Sequence, residues 1–140
     1  MISFFPAINT TASALQAERV RLDVISQNIA NAHTVRGSDG KPYQRQVVVF
    51  EAALSQAMNG SSSPPLVRIA EIRKDSSPPL LVPDPGSPFA DANGMVALPN
   101  INIHQEMADM IVASRSYEAN LAVVKNARSM ALQALSIGKR

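Results

Sequence analysis

The sequence predicts a mainly α-helical protein with a small β insert. Long N- and C-terminal helices are expected to pair as a coiled-coil-like bundle, with a small β-rich domain between them. The first observation is that residues 7–36 and 100–137 contain no glycine or proline, whereas residues 37–99 hold nine of the ten prolines. Proline removes a backbone donor and glycine costs helix entropy, so long helices are expected only at the ends. The second is that aromatic residues make up only 4% of the chain, which favours helix packing through aliphatic side chains.

The length of 140 residues predicts one domain, and the distribution of glycine and proline divides it into three parts. Residues 1–36 and 100–140 are expected to form the N- and C-terminal helices of a helical core, and residues 37–99 the β-rich insert. The net charge of +2 is too balanced for a nucleic-acid-binding surface. The absence of cysteine excludes disulfides and thiolate chemistry.

The first helix is expected over about residues 10–31, where apolar residues recur at spacings typical of a bundle seam. The seam positions are Ile8, Leu15, Leu22, Ile25, Ile29 and Ala32. The last helix is expected to begin after an Asn102 N-cap, with Gln105 in a loose capping box, and to end at Gly138. Its seam is Met107, Met110, Ser114, Tyr117, Leu121, Val124, Arg128, Ala131 and Leu135.

The middle segment is expected to form short strands connected by turns. Aliphatic and β-branched runs predict strands at residues 46–50, 80–82 and 95–98, and a segment of intermixed apolar and charged residues predicts another at 66–74. Residues 50–58 are expected to form a short helix. Clusters of Gly, Pro, Asn and Asp predict turns or loops at residues 37–40, 59–65, 84–87 and 93–94.

No residue pattern indicates an enzyme, a cofactor or a metal site. His33 and His104 lie near helix ends on either side of the insert, but isolated histidines there are usually caps or surface residues. Residues 91–94 resemble the start of a calcium loop that lacks its late bidentate glutamate, so a turn is predicted instead. Motifs for a serine nucleophile or a phosphate-binding glycine loop are absent.

The N-terminus does not have the basic start and apolar core of a secretory signal peptide, and no apolar run approaches the roughly 20 residues of a membrane span. Either a cytosolic protein or one exported without a cleaved signal is consistent with this. Two roles are also open for Asn28 and Asn31 in the last turns of the first helix. They either end the helix or fix its register against a neighbouring helix.

Several stretches together resemble the bacterial flagellar axial proteins, which are the rod, hook and hook-associated subunits. The N-terminal signature is Leu15-x-Ala17-x-x-x-Arg21-Leu22-Asp23-Val24-Ile25-x-x-Asn28-Ile29-Ala30-Asn31-x-x-Thr34. The C-terminal signature is Ser114-Arg115-Ser116-Tyr117-Glu118-Ala119-Asn120. Further matches are Pro42-Tyr43-x-Arg45-x-Val47-Val48-Val49-Phe50, Asp84-Pro85-Gly86-Ser87-Pro88 with Asn93-Gly94, and Pro99-Asn100-Ile101-Asn102. His33 and Phe89 depart from the usual pattern, and the short insert favours the proximal-rod members.

The resemblance implies a structural subunit that polymerises through its terminal helices into the axial drive shaft of the flagellum. It also implies type III export without a cleaved signal and assembly in the periplasm. The expected partners are further copies, other rod subunits and basal-body ring or export-gate proteins, without nucleic acid or a membrane span. The expected subunit-interface residues are Leu15, Leu22, Ile25, Asn28, Ile29, Asn31, Met107, Met110, Ser114, Arg115, Tyr117, Asn120, Leu121 and Val124. The alternative is a small cytosolic coiled-coil adaptor or export chaperone, which would share the amphipathic ends.

Overall fold

The computed structural model describes residues 4–37, 39–53 and 66–137. Two long helices pack against each other, and the segment between them forms two small antiparallel sheets. The elements are α1 (Phe4–Ala30), β1 (Gln46–Ala53), β2 (Leu66–Lys74), β3 (Leu80–Pro83), β4 (Met95–Leu98) and α2 (Ile103–Ile137). This architecture confirms the predicted fold class.

Helix α1 begins at Phe4, earlier than the predicted start near residue 10. Pro6 lies in the first turn, where a backbone nitrogen has no intrahelical acceptor, so proline is tolerated there. At the other end, the backbone N–H of Asn31 and its side-chain Nδ2 both donate to the Gln27 carbonyl, at 3.0 and 2.9 Å. Asn31 therefore caps the end of this helix.

Helix α2 contains 35 residues and is about 52 Å long at the usual rise per residue. Asn102 Oδ1 accepts hydrogen bonds from the backbone N–H groups of His104 and Gln105, at 3.1 and 3.3 Å, which confirms the predicted N-cap. The Gln105 side chain does not close the capping box; it donates to Asp109 Oδ1 at 3.5 Å. The predicted helix end at Gly138 lies outside the described residues.

The first sheet is the β1–β2 hairpin, which runs from the Gln46–Lys74 pair to the Ala53–Leu66 pair. Its register shifts between Val49 and Phe50. The short helix predicted over residues 50–58 is wrong at residues 50–53, because these residues continue the ladder against the start of β2. The rest of that segment, and the loop predicted at residues 59–65, lie outside the described residues.

The second sheet pairs β3 with β4, from Leu80–Leu98 to Pro83–Met95. Its connection contains the predicted turn at residues 93–94, where Gly94 has a φ of +75°. Asp91 Oδ1 accepts hydrogen bonds from the backbone N–H groups of Asn93 and Met95, at 2.8 and 2.9 Å. Such local side-chain bonds stabilise a turn without any metal ion.

Helix α1 contacts α2 and also both strands of the first hairpin. Ile25 and Ala32 of the predicted seam are buried. Ala17 and Val24, outside that seam, are equally buried and line clefts between α1 and the hairpin. Because α1 packs against both α2 and the hairpin, a single apolar seam does not describe all of its packing.

Candidate assembly interface

The predicted interface residues on α1 differ in exposure. Leu15, Leu22 and Ile29 are part-exposed, whereas Ile25 is buried. Asn28 is only 1% exposed. The α1 stripe is therefore covered mainly by other parts of the same chain, with a part-exposed margin left for other contacts.

The predicted interface residues on α2 fall into two groups. Met107 and Arg115 are exposed. The part-exposed residues are Met110, Ser114, Tyr117, Asn120, Leu121 and Val124. Because α1 and α2 pack together, the two predicted seams belong to helices that pair within one chain.

A second apolar stripe on α2 was missed by the sequence reasoning. Val112, Val123, Met130 and Ile137 are each more than 50% exposed. Their spacings are eleven, seven and seven residues, so at about 100° per residue they lie within roughly 40° of one another on the helix. We call these four residues the outer stripe. The seven-residue spacing is present in the sequence, but the contact surface was predicted from the longer seam that begins at Met107, on another face of the helix.

A buried polar cluster joins α1, the start of β1 and the start of α2. Asn28 Nδ2 donates to the Gln46 carbonyl at 2.8 Å and to Glu106 Oε2 at 2.9 Å. Asn28 Oδ1 accepts from the Gln46 backbone N–H at 2.9 Å and from the Tyr43 hydroxyl at 3.1 Å. The carboxamide thus pairs with Gln46 as a neighbouring strand would, and all four of its hydrogen-bonding positions are used.

Glu106 is the second centre of this cluster, and its side chain is also 1% exposed. Arg45 donates to Glu106 Oε1 through Nε and Nη2, both at 2.6 Å. Short charge-assisted bonds of this kind compensate for removing a carboxylate from water. We call Asn28, Tyr43, Arg45, Gln46 and Glu106 the polar junction.

Two pKa shifts arise around the polar junction. Burial, and then the nearby charge of Glu106, raise the pKa of Tyr43 and keep its hydroxyl protonated as a donor. Hydrogen bonds from Ser77, assisted by the charges of Arg45 and Arg73, lower the pKa of Asp75. Asp75 lies 4.0 Å from Arg45, at the more exposed side of the cluster.

Across the described residues, no group of three or more His, Asp or Glu side chains is arranged to hold a metal ion. Both His33 and His104 are exposed. None of the described helices has the length and apolar character of a membrane span.

Comparison with known proteins identifies two matching family models. Residues 8–36 match the model of flagella basal body rod proteins, and residues 92–137 match the C-terminal model of flagellar basal body rod FlgEFG proteins. These two segments contain α1 from residue 8 onward, β4 and all of α2.

Curated relatives match almost the whole chain. The flagellar basal-body rod protein FlgC of Salmonella typhimurium is 43% identical over 129 residues, covering 91% of this chain and 92% of the relative. The FlgC proteins of Borreliella burgdorferi and Bacillus subtilis are 42% and 39% identical, covering 97% and 96% of this chain and 98% of each relative. These matches favour the axial-subunit interpretation over a cytosolic adaptor. The chain belongs to the family of flagellar basal-body rod proteins, in which its relatives are FlgC subunits.

Proposed function

We propose that this structural rod subunit polymerises through its terminal helices into the proximal part of the axial drive shaft, which transmits torque for motility. The observation that carries the proposal is the outer stripe on α2, which remains exposed after α1, α2 and the insert have packed together. An apolar stripe at seven-residue spacing is suited to packing against another helix. In a polymer of identical subunits, each copy offers such a helix to the next.

The outer stripe carries enough apolar area to drive helix docking. Fully burying a Val, Ile or Met side chain contributes about 1.5–3 kcal/mol, so burying the exposed half of one contributes about 1 kcal/mol. Four such side chains contribute about 4 kcal/mol per contact before the entropic cost of association. One contact of this size is weak, whereas repeated contacts in a shaft add up.

In this proposal the predicted interface residues fall into two groups, those that contact neighbouring subunits and those that align the helices within one subunit. The exposed Met107 and Arg115 and the part-exposed seam residues contact neighbouring subunits at the margins of the α1–α2 pair. Ile25 and Asn28 are buried in the single chain, and they contribute by aligning the two helices that form the contact surface.

The same proposal covers location and partners. The subunit leaves the cytoplasm by the flagellar type III route without a cleaved signal and assembles in the periplasm. It contacts further copies, other rod subunits and proteins of the basal-body ring or export gate. Its role is structural and requires neither catalysis nor a cofactor.

The test is Val123→Asp in the outer stripe, compared with Lys125→Asp on a charged, exposed part of the same helix. The control changes the charge by more than the test variant, so a general charge effect would harm it more. We expect Val123→Asp to retain the helix content of the purified chain but to give cells without complete rods and without motility. Rod assembly at the normal level in Val123→Asp cells would contradict the proposed interface.

A further inference from the structure

We propose that the polar junction is a positioning joint that selects one orientation of the β1–β2 hairpin on the paired helices. The inference goes beyond polymerisation, because it concerns how a single subunit fixes the direction of its insert. It rests on two attachment points and on the way the joint is buried.

The first attachment is the joint itself, which links three parts of the chain at one place. The Asn28 carboxamide pairs with the backbone of Gln46, while Glu106 of α2 holds both Asn28 and Arg45. The Arg45 carbonyl accepts the Asp75 backbone N–H at 2.7 Å, so the residue after β2 is tied to the same place. Both strands of the hairpin are therefore anchored at this end.

The second attachment lies toward the other end of the hairpin. The Ser13 hydroxyl oxygen accepts the backbone N–H of Val67 at 3.1 Å. Ser13 and Asn28 are about 22 Å apart along the helix. Val67 pairs with Ala52, which is about 20 Å from Gln46 along an extended strand. The agreement of these two lengths indicates that the hairpin runs along α1 between its two anchors.

The joint specifies geometry because the observed orientation satisfies the hydrogen-bonding groups of Asn28 and the carboxylate of Glu106 at the same time. A swing of the hairpin would separate Gln46 from Asn28, leaving a buried amide without its strand-like partner. It would also separate Arg45 from the buried Glu106 carboxylate. The apolar contacts around Ala17 and Val24 are not directional, so they stabilise the packing of the hairpin without selecting one orientation.

The experiment measures the orientation of the hairpin directly, in a variant whose ion pair is replaced with apolar side chains. In Arg45→Met/Glu106→Leu, both charges are removed together, so neither partner is left as a buried charge without its counter-ion. The natural chain has no cysteine, so spin labels can be attached at Arg68→Cys on β2 and Lys125→Cys on α2. A reference pair at Arg19→Cys and Lys125→Cys reports on the two helices alone.

We expect the double variant to remain folded but with a lower urea midpoint than the parent chain, because Asn28 Nδ2 loses its Glu106 acceptor. Its β2–α2 label distances should spread about twofold or split into two maxima, since other orientations become populated. The α1–α2 distances should keep their width. The matched control is Arg73→Met/Glu71→Leu, which removes an exposed pair of the same types, 3.9 Å apart, and should change neither distribution.

Arg45→Lys provides a second variant should the double variant not fold, because lysine keeps the charge but loses the two-nitrogen contact. A β2–α2 distribution that stays narrow in every folded joint variant would overturn the inference. Equal broadening in the control would also overturn it. These measurements use the isolated chain, so they succeed or fail independently of rod assembly in cells.

Discussion

Replacing Asn28 by aspartate tests the polar junction at nearly constant shape, because one amide nitrogen becomes an oxygen. Asn28 Nδ2 donates to the Gln46 carbonyl at 2.8 Å and to Glu106 Oε2 at 2.9 Å. In the variant both hydrogen bonds are lost, and a carboxylate oxygen faces the buried carboxylate of Glu106. The Asn28 side chain is 1% exposed, so water cannot replace the lost donor.

The expected magnitude follows from these contacts. A buried acceptor left unsatisfied costs about 1–3 kcal/mol, and a buried charge without a partner costs about 3–5 kcal/mol. We expect Asn28→Asp to lower the free energy of unfolding by about 3–5 kcal/mol at neutral pH. Burial and the neighbouring carboxylate raise the pKa of the new carboxyl group. The loss is therefore largest above that pKa and shrinks as the pH falls and the group takes up a proton.

Asn31→Asp is the matched control, since Asn31 is part-exposed at the same helix end. Both variants bring a negative charge to the negative end of the α1 dipole, which costs about 0.3–1 kcal/mol in each. The assay is urea unfolding followed by circular dichroism at neutral and mildly acidic pH. Similar losses in the two variants would refute the reasoning, because burial and the polar junction are what distinguish the two sites.

Two further predictions concern Tyr43 and the glycine turns. Burial and the charge of Glu106 raise the pKa of Tyr43 in the folded chain above its value of about 10 in the unfolded chain. The stability that the protonated Tyr43 hydroxyl contributes is therefore fully present below the unfolded-state pKa, and it is lost as the pH rises through the folded-state pKa. Urea midpoints measured through this alkaline range should therefore fall more in the parent chain than in Tyr43→Phe, and parallel curves would contradict this. Gly94→Ala should lower the thermal midpoint more than Gly40→Ala. Both glycines have a φ of +75°, but a Cβ at Gly94 would lie 3.3 Å from Pro85 Cγ, whereas a Cβ at Gly40 would have nothing within 4 Å. Equal decreases of the thermal midpoint in the two variants would show that backbone strain alone sets the loss of stability, without a contribution from the contact with Pro85.

The features that the sequence predicted well depend on interactions between close neighbours in the chain. The N-cap at Asn102 binds residues two and three positions further on, and the turn at Gly94 is organised by Asp91. Strand β2 was predicted with its observed bounds because turn-forming residues flank a segment of intermixed apolar and charged residues. Patterns of this range are visible in a single sequence.

The polar junction could not be predicted, because its members are far apart in the chain. Glu106 binds Asn28 across 78 residues and Arg45 across 61 residues. By itself, Glu106 resembles an ordinary acidic residue in the first turn of a helix, where the dipole favours a negative charge. Arg45 precedes a strand and resembles a solvated flanking residue. Only the packed chain shows that the part-exposed Arg45 pairs with the buried Glu106.

The second buried face of α1 escaped prediction for a related reason. Ala17 has a small side chain, and its position outside the apolar seam gives no sign of burial in the sequence alone. A small residue allows a strand to approach a helix closely, but the pattern does not say which strand.

The polar junction and the outer stripe show how the chain divides its polar and apolar surfaces between different tasks. The directional hydrogen bonds of Asn28 and Glu106 are used inside the subunit, where burial makes a wrong arrangement costly. The outer stripe of α2 is apolar, so the contact proposed for it would not fix one angle between neighbouring copies. We infer that a shaft built from such subunits takes its precision from rigid joints within each copy and its tolerance from the contacts between copies.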